Sequence, residues 1–173
     1  MKGLLTLDLY ISSLIEYGYK MDDIQVMNIS PTFTKKVKEW MQQLRFQIED
    51  VGDPTLVIVS DTLGVWEKNG WGGMYLPEYH VITFPENPDL GYALGHELTH
   101  AYQPSSELFG MKPPCGLQDP DPEIRRKAHQ EWLDHPLEVQ ANKIGLIAES
   151  SDIEKGLELY DIFYKGYVET NLG

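Results

Sequence analysis

The chain is expected to fold as an α+β domain, with a small antiparallel or mixed sheet of about three strands packed on one central helix. Three observations predict this. Apolar residues recur at helical spacing in the first fifty residues; short β-branched runs fall only between residues 55 and 84; and helical texture returns from residue 89 onward. The chain has 173 residues, 42% apolar and 24% charged, an ordinary globular composition that predicts one domain over 1–173 without long disorder. Within it, 1–50 is an N-terminal helical part, 51–103 holds the sheet and the central helix, and 104–173 is a loop followed by C-terminal helices.

The elements follow in order. Leu4, Leu7, Ile11, Leu14 and Ile15 mark a first amphipathic helix, with Gly18 as its stop. Ser30-Pro31 opens a second, as cap and first-turn proline. Its stripe of Phe33, Val37, Trp40, Met41, Leu44 and Ile48 runs toward the turn signal Gly52-Asp53-Pro54. Thr55 to Ser60 reads as a buried strand. Residues 61–73, with Gly64, Asn69-Gly70 and Gly72-Gly73, read as turns with room for a hairpin. Met74-Tyr75-Leu76 and His80 to Phe84 read as two strands joined across Pro77-Glu78, and Pro85 and Pro88 end the section. Asp89 is placed to cap the central helix, through about Gln103. A loop over 104–120 precedes three helices opened by Asp121-Pro122, His135-Pro136 and Ser151-Asp152, which run to about Leu133, Glu149 and Val168.

Charge narrows the function classes. Against 14 basic side chains stand 27 acidic ones, a net charge of -13. Such a field repels phosphate backbones, so no nucleic acid is expected as a partner. No apolar run approaches the roughly 18 residues of a membrane span, and Asp8 interrupts the apolar start, so neither a membrane segment nor a signal peptide is expected. A cytoplasmic protein is the expectation. Cys115 is the single cysteine, which excludes an internal disulfide.

Chemistry concentrates in Gly95-His96-Glu97-Leu98-Thr99-His100-Ala101. Histidines at i and i+4 share one helical face with a rise of roughly 6 Å, so both rings can reach one small cation. Glu97, beside the first ligand, is placed to take a proton from the water that the metal activates. A catalytic zinc needs a third protein ligand and an open position. Downstream candidates are His129, His135, Glu138 and other acids. Glu138 fits best: it lies in the first turns of a predicted helix, with Asn142 one turn later on the same face, able to support a metal-bound histidine ring. His135 doubles as a possible helix cap, and His129 reads as part of a solvated face.

These two stretches, about 95–103 and 136–149, resemble the gluzincin arrangement, and most closely that of minigluzincins and ImmA/IrrE-type peptidases. The resemblance implies Zn2+ held by His96, His100 and Glu138, Glu97 as general base, and hydrolysis of peptide bonds in a protein or peptide substrate of narrow range. It also implies an edge strand above the metal helix that receives the substrate, here Met74-Tyr75-Leu76 with Met74 and Tyr75 as contacts. Asn142 stands where gluzincins usually carry an acid. For the donor facing the oxyanion, Tyr79, His80, Tyr102, His129, Tyr160, Tyr164 and Tyr167 stay open. Lys112-Pro113-Pro114-Cys115-Gly116 resembles the cysteine-switch segment of matrix metalloproteinase propeptides, against an ordinary loop cysteine. A non-catalytic module stabilised by zinc is the alternative to an enzyme; it would need His96, His100 and Glu138 but not Glu97. A third reading makes the motif accidental in an acidic interaction protein.

Overall fold

The computed structural model describes residues 1–70, 72–86 and 88–171, with side chains described through residue 164. Among these the chain forms eight helices and one four-stranded sheet, an α+β arrangement. The helices are α1 (Leu7–Tyr17), α2 (Pro31–Gln43), α3 (Val65–Asn69), α4 (Tyr92–Tyr102), α5 (Ser105–Leu108), α6 (Pro122–Asp134), α7 (Pro136–Ser150) and α8 (Ile153–Asn171). The strands are β1 (Ile24–Asn28), β2 (Thr55–Val59), β3 (Met74–Leu76) and β4 (Val81–Phe84), in the spatial order β1-β2-β4-β3. No helix among the described residues is long and apolar enough to cross a membrane.

Local chemistry sets most helix ends. Thr6, Ser30 and Asp121 each accept a backbone N–H at the start of α1, α2 and α6, and Gly18 closes α1 through bonds to Leu14 and Ile15. The second helix is shorter than its apolar stripe. It ends at Gln43, and Arg45 takes a left-handed turn (φ 62°) while Phe46 N–H returns to the Met41 carbonyl. Leu44, Phe46 and Ile48 still pack against the core from the irregular segment beyond.

The sheet has one strand more than expected, β1, antiparallel to β2, and it is mixed, because β2 runs parallel to β4. β1 is an edge strand with only Ile24 and Met27 partly buried, so its sequence lacks the apolar signal of a core strand. The hairpin allowed for residues 61–73 is instead the short α3, set between Gly64 and Gly70, both left-handed. β3 and β4 are antiparallel across the turn Pro77–His80. His80 closes that turn at φ 51° and is not part of the strand.

Both faces of the sheet are covered. Along β2 and β4, Val57, Val59 and Val81 face a cluster with Tyr10 and Tyr19 on the α1 side. Leu56, Ile82 and Phe84 face the opposite way, into the larger cluster. This alternation is the period of two expected of a strand, and burial on both faces explains the continuous β-branched run of β2. The larger cluster joins Leu56, Tyr75, Ile82 and Phe84 to Val37 and Met41 of α2, to Leu94, Leu98, Ala101 and Tyr102 of α4, and to Ile144 and Ile147 of α7. In this way α4, which carries both histidines, and α7, which carries Glu138, share one core.

Candidate metal centre

Small residues bring α4 and α7 together. A Cβ on Gly95 would lie 2.9 Å from the Ala148 Cβ, and one on Gly145 would lie 2.9 Å from the Tyr92 carbonyl oxygen. The helices run antiparallel: Gly91 meets Glu149 at one end, and Gln103 bonds the Leu137 carbonyl at the other. This crossing sets the first turn of α7, and Glu138 within it, against the histidines of α4. Position in that first turn also favours a carboxylate electrostatically.

His96, His100 and Glu138 converge, with one ligand atom from each inside a mutual distance of 4.8 Å. His100 Nε2 is 3.0 Å from Glu138 Oε1, and His96 Nε2 is 3.4 Å from Glu138 Oε2. Ligand atoms around a tetrahedral zinc with bonds of about 2 Å stand about 3.3 Å apart, so these separations suit a small divalent cation. The rings meet edge to face with centroids 4.9 Å apart. Glu97 lies beside them, its Oε1 3.9 Å from His96 Nε2. Side-chain exposure is 16% for His96, 14% for Glu97, 9% for His100 and 8% for Glu138, so all four are largely buried and His96 and Glu97 are the more accessible pair. Among the described residues, this is the group of three that could hold a metal ion.

The electrostatics follow from the packing. Burial alone would push the Glu138 carboxyl up; hydrogen bonds and charge from His100 and His96 outweigh it and bring it down to about 2. Burial pushes His100 down, but Glu138 and the nearby Glu97 reverse that and leave it raised.

Asn142 Oδ1 accepts from Tyr92 Oη at 2.8 Å, while His96 Nδ1 is buried without a hydrogen-bond partner. Tyr75 is buried in the core, its hydroxyl 2.6 Å from His80 Nδ1, and Met74 is half-buried on the same edge strand. His135 caps α7, accepting from Leu137 N–H. His129 is exposed on α6. His80 Nε2 lies on the Gly52 carbonyl, and Tyr102 Oη donates to Asp53. Tyr79 packs against Tyr10, while Tyr160 stacks on Tyr164, whose hydroxyl donates to Asp134. The side chain of Tyr167 lies outside the described residues. Cys115 is exposed on the loop after α5.

Two residues at the centre escaped the sequence reading. Gln103 Oε1 lies 2.6 Å from His100 Nδ1. Tyr92 packs its ring on His96, with centroids 6.1 Å apart. Helical spacing could have found both, since Gln103 is three residues after His100 and Tyr92 four before His96.

Comparison with known proteins finds no match among family models, curated proteins or solved structures.

Proposed function

We propose that this chain is a zinc-dependent metallopeptidase of the gluzincin type, acting inside the cell on a narrow range of protein or peptide substrate. The observation that carries the reading is the convergence of His96, His100 and Glu138 with Glu97 beside it. Two nitrogens and one carboxylate oxygen are a catalytic zinc donor set, one short of closure. Bound there, zinc would supply a Lewis acid and lower the pKa of its water. Glu97 would accept a proton from the attacking water and hand it to the leaving amine.

Substrate would lie along β3. This strand borders the sheet, pairs only with β4 among the described residues, and shares the buried cluster with α4 through Tyr75. An extended peptide can add to such an edge by main-chain hydrogen bonds. Met74 is the better candidate for a substrate contact, because Tyr75 is committed to the core and to His80.

The low exposure of the four side chains favours a second reading, a metal-stabilised module without catalysis. Glu97 separates the two. Cleavage in a library of unstructured peptides, read by mass spectrometry, is expected from the zinc-loaded chain and lost in Glu97→Ala with zinc retained. Cleavage that persists in Glu97→Ala would refute the role of Glu97. The complete absence of cleavage by the zinc-loaded chain would favour the module.

A further inference from the structure

Gln103 closes α4 and is fully buried. Its amide nitrogen donates to the Leu137 carbonyl at 2.9 Å and to Gln140 Oε1 at 3.1 Å. A backbone carbonyl can only accept, so the nitrogen must face Leu137 and the oxygen must face His100. That oxygen lies 2.6 Å from His100 Nδ1, and an amide oxygen at this distance requires a proton on the ring nitrogen. The main chain of Gln103 is tied as well. Its N–H bonds the His100 carbonyl at 3.2 Å, and its own carbonyl accepts from the buried ammonium of Lys2.

We propose that Gln103 is a positioning residue of the metal centre: by holding the proton on His100 Nδ1 it fixes the ring and keeps Nε2 directed at Glu138 as the ligating atom. The consequence for metal binding rests on the reading above; the ring geometry does not. Nothing comparable holds His96, whose buried Nδ1 has no partner. A ring held by its far nitrogen loses less freedom when it binds a metal, and the hydrogen bond raises the basicity of the ligating nitrogen.

Nitrogen-15 NMR of the histidine rings tests this on the unaltered chain, metal-free and zinc-loaded. His100 is expected to show a slowly exchanging Nδ1–H in both forms, with the zinc shift at Nε2. Zinc competition with a chromophoric chelator gives the second readout. Gln103→Leu should weaken zinc binding about tenfold to a hundredfold and abolish the slow proton. Gln140→Ala, which spares the Leu137 anchor, should change affinity by less than about threefold. A His100 Nδ1 that exchanges freely in the unaltered chain would overturn the proposal, as would Gln103→Leu with unchanged affinity. Should Gln103→Leu not fold, the ring spectrum of the unaltered chain still decides. Should the unaltered chain take up no zinc, the peptidase reading fails, and the metal-free spectrum decides the role of Gln103 separately.

Discussion

His96 and His100 stand one turn apart on α4, and the two ends of that helix hold them differently. At the C-terminal end, His100 is gripped at both ring nitrogens, by Gln103 and Glu138, and Lys2 and Glu49 add bonds just behind it. At the N-terminal end, His96 leans on the Tyr92 ring, its Nδ1 has no partner, and it meets Glu138 at the longer 3.4 Å. The tied ring is the more buried one; the looser ring lies beside Glu97. The contrast teaches that two histidines of one candidate site can be restrained unequally, His100 at both ring nitrogens and His96 at one.

The sharpest way to break this contrast is to remove each ring in the metal-free protein. His100→Ala leaves Gln103 Oε1 without its partner and the buried Glu138 carboxylate with only the longer His96 contact, and should cost about 3–5 kcal/mol of folding stability. His96→Ala should cost less, because beside its ring packing on Tyr92 and His100 it removes a longer contact to Glu138, worth about 0.5–1.5 kcal/mol, and strands no tightly bonded partner. Denaturant midpoints at constant m-value read the difference, and equal losses would end the distinction.

Next comes the crossing that both ends share. Gly145→Val should destabilise by about 1–3 kcal/mol, because its side chain meets the Tyr92 backbone. It should weaken zinc binding together with stability, because it moves the whole first turn of α7. Unchanged thermal unfolding would show that the close approach is not needed.

Two smaller tests follow. Lys2→Met should lower stability by about 1 kcal/mol, because it leaves the Gln103 carbonyl unpaired. Tyr92→Phe, at the looser end, should cost no more than about that amount by losing the bond to Asn142. Reversal of that order would place the stronger anchor at the wrong end.

A pH series sharpens the same contrast. The Glu138 contribution to stability is present above its ordinary value of 4.5 and is lost as pH falls toward about 2. The His100 contribution is present below its ordinary value of 6.5 and is lost as pH rises through its raised one. Both describe one ion pair, so in chelator-treated protein it is complete between those values. Zinc must displace the proton on Nε2, so the rise in melting temperature on adding zinc should grow with pH from 6.5 upward. A zinc effect that shrinks over that range would contradict the pairing.

The sequence made much of this legible where the cause was local. Ser30, Asp121 and His135 mark helix starts by capping chemistry that needs no tertiary partner, and the strands β2 and β4 announce themselves through their β-branched runs. What escaped was set by distant contacts. β1 is an exposed edge strand paired to β2, and the parallel pairing of β2 with β4 is a tertiary choice. Within the site, His96, Glu97 and His100 follow from spacing on one helix. The approach of Glu138 depends on Gly95 and Gly145, whose pairing across two helices is visible only in the fold. Helical spacing places Gln103 within reach of His100, but only the Leu137 carbonyl in the fold shows which way its amide faces.

Zinc stoichiometry tests the central claim most directly. Purified chain loaded with zinc and freed of excess should hold one equivalent, and the His96→Ala/His100→Ala double variant, checked for folding, should hold none. One equivalent in both proteins, or none in the unaltered chain, would contradict the account.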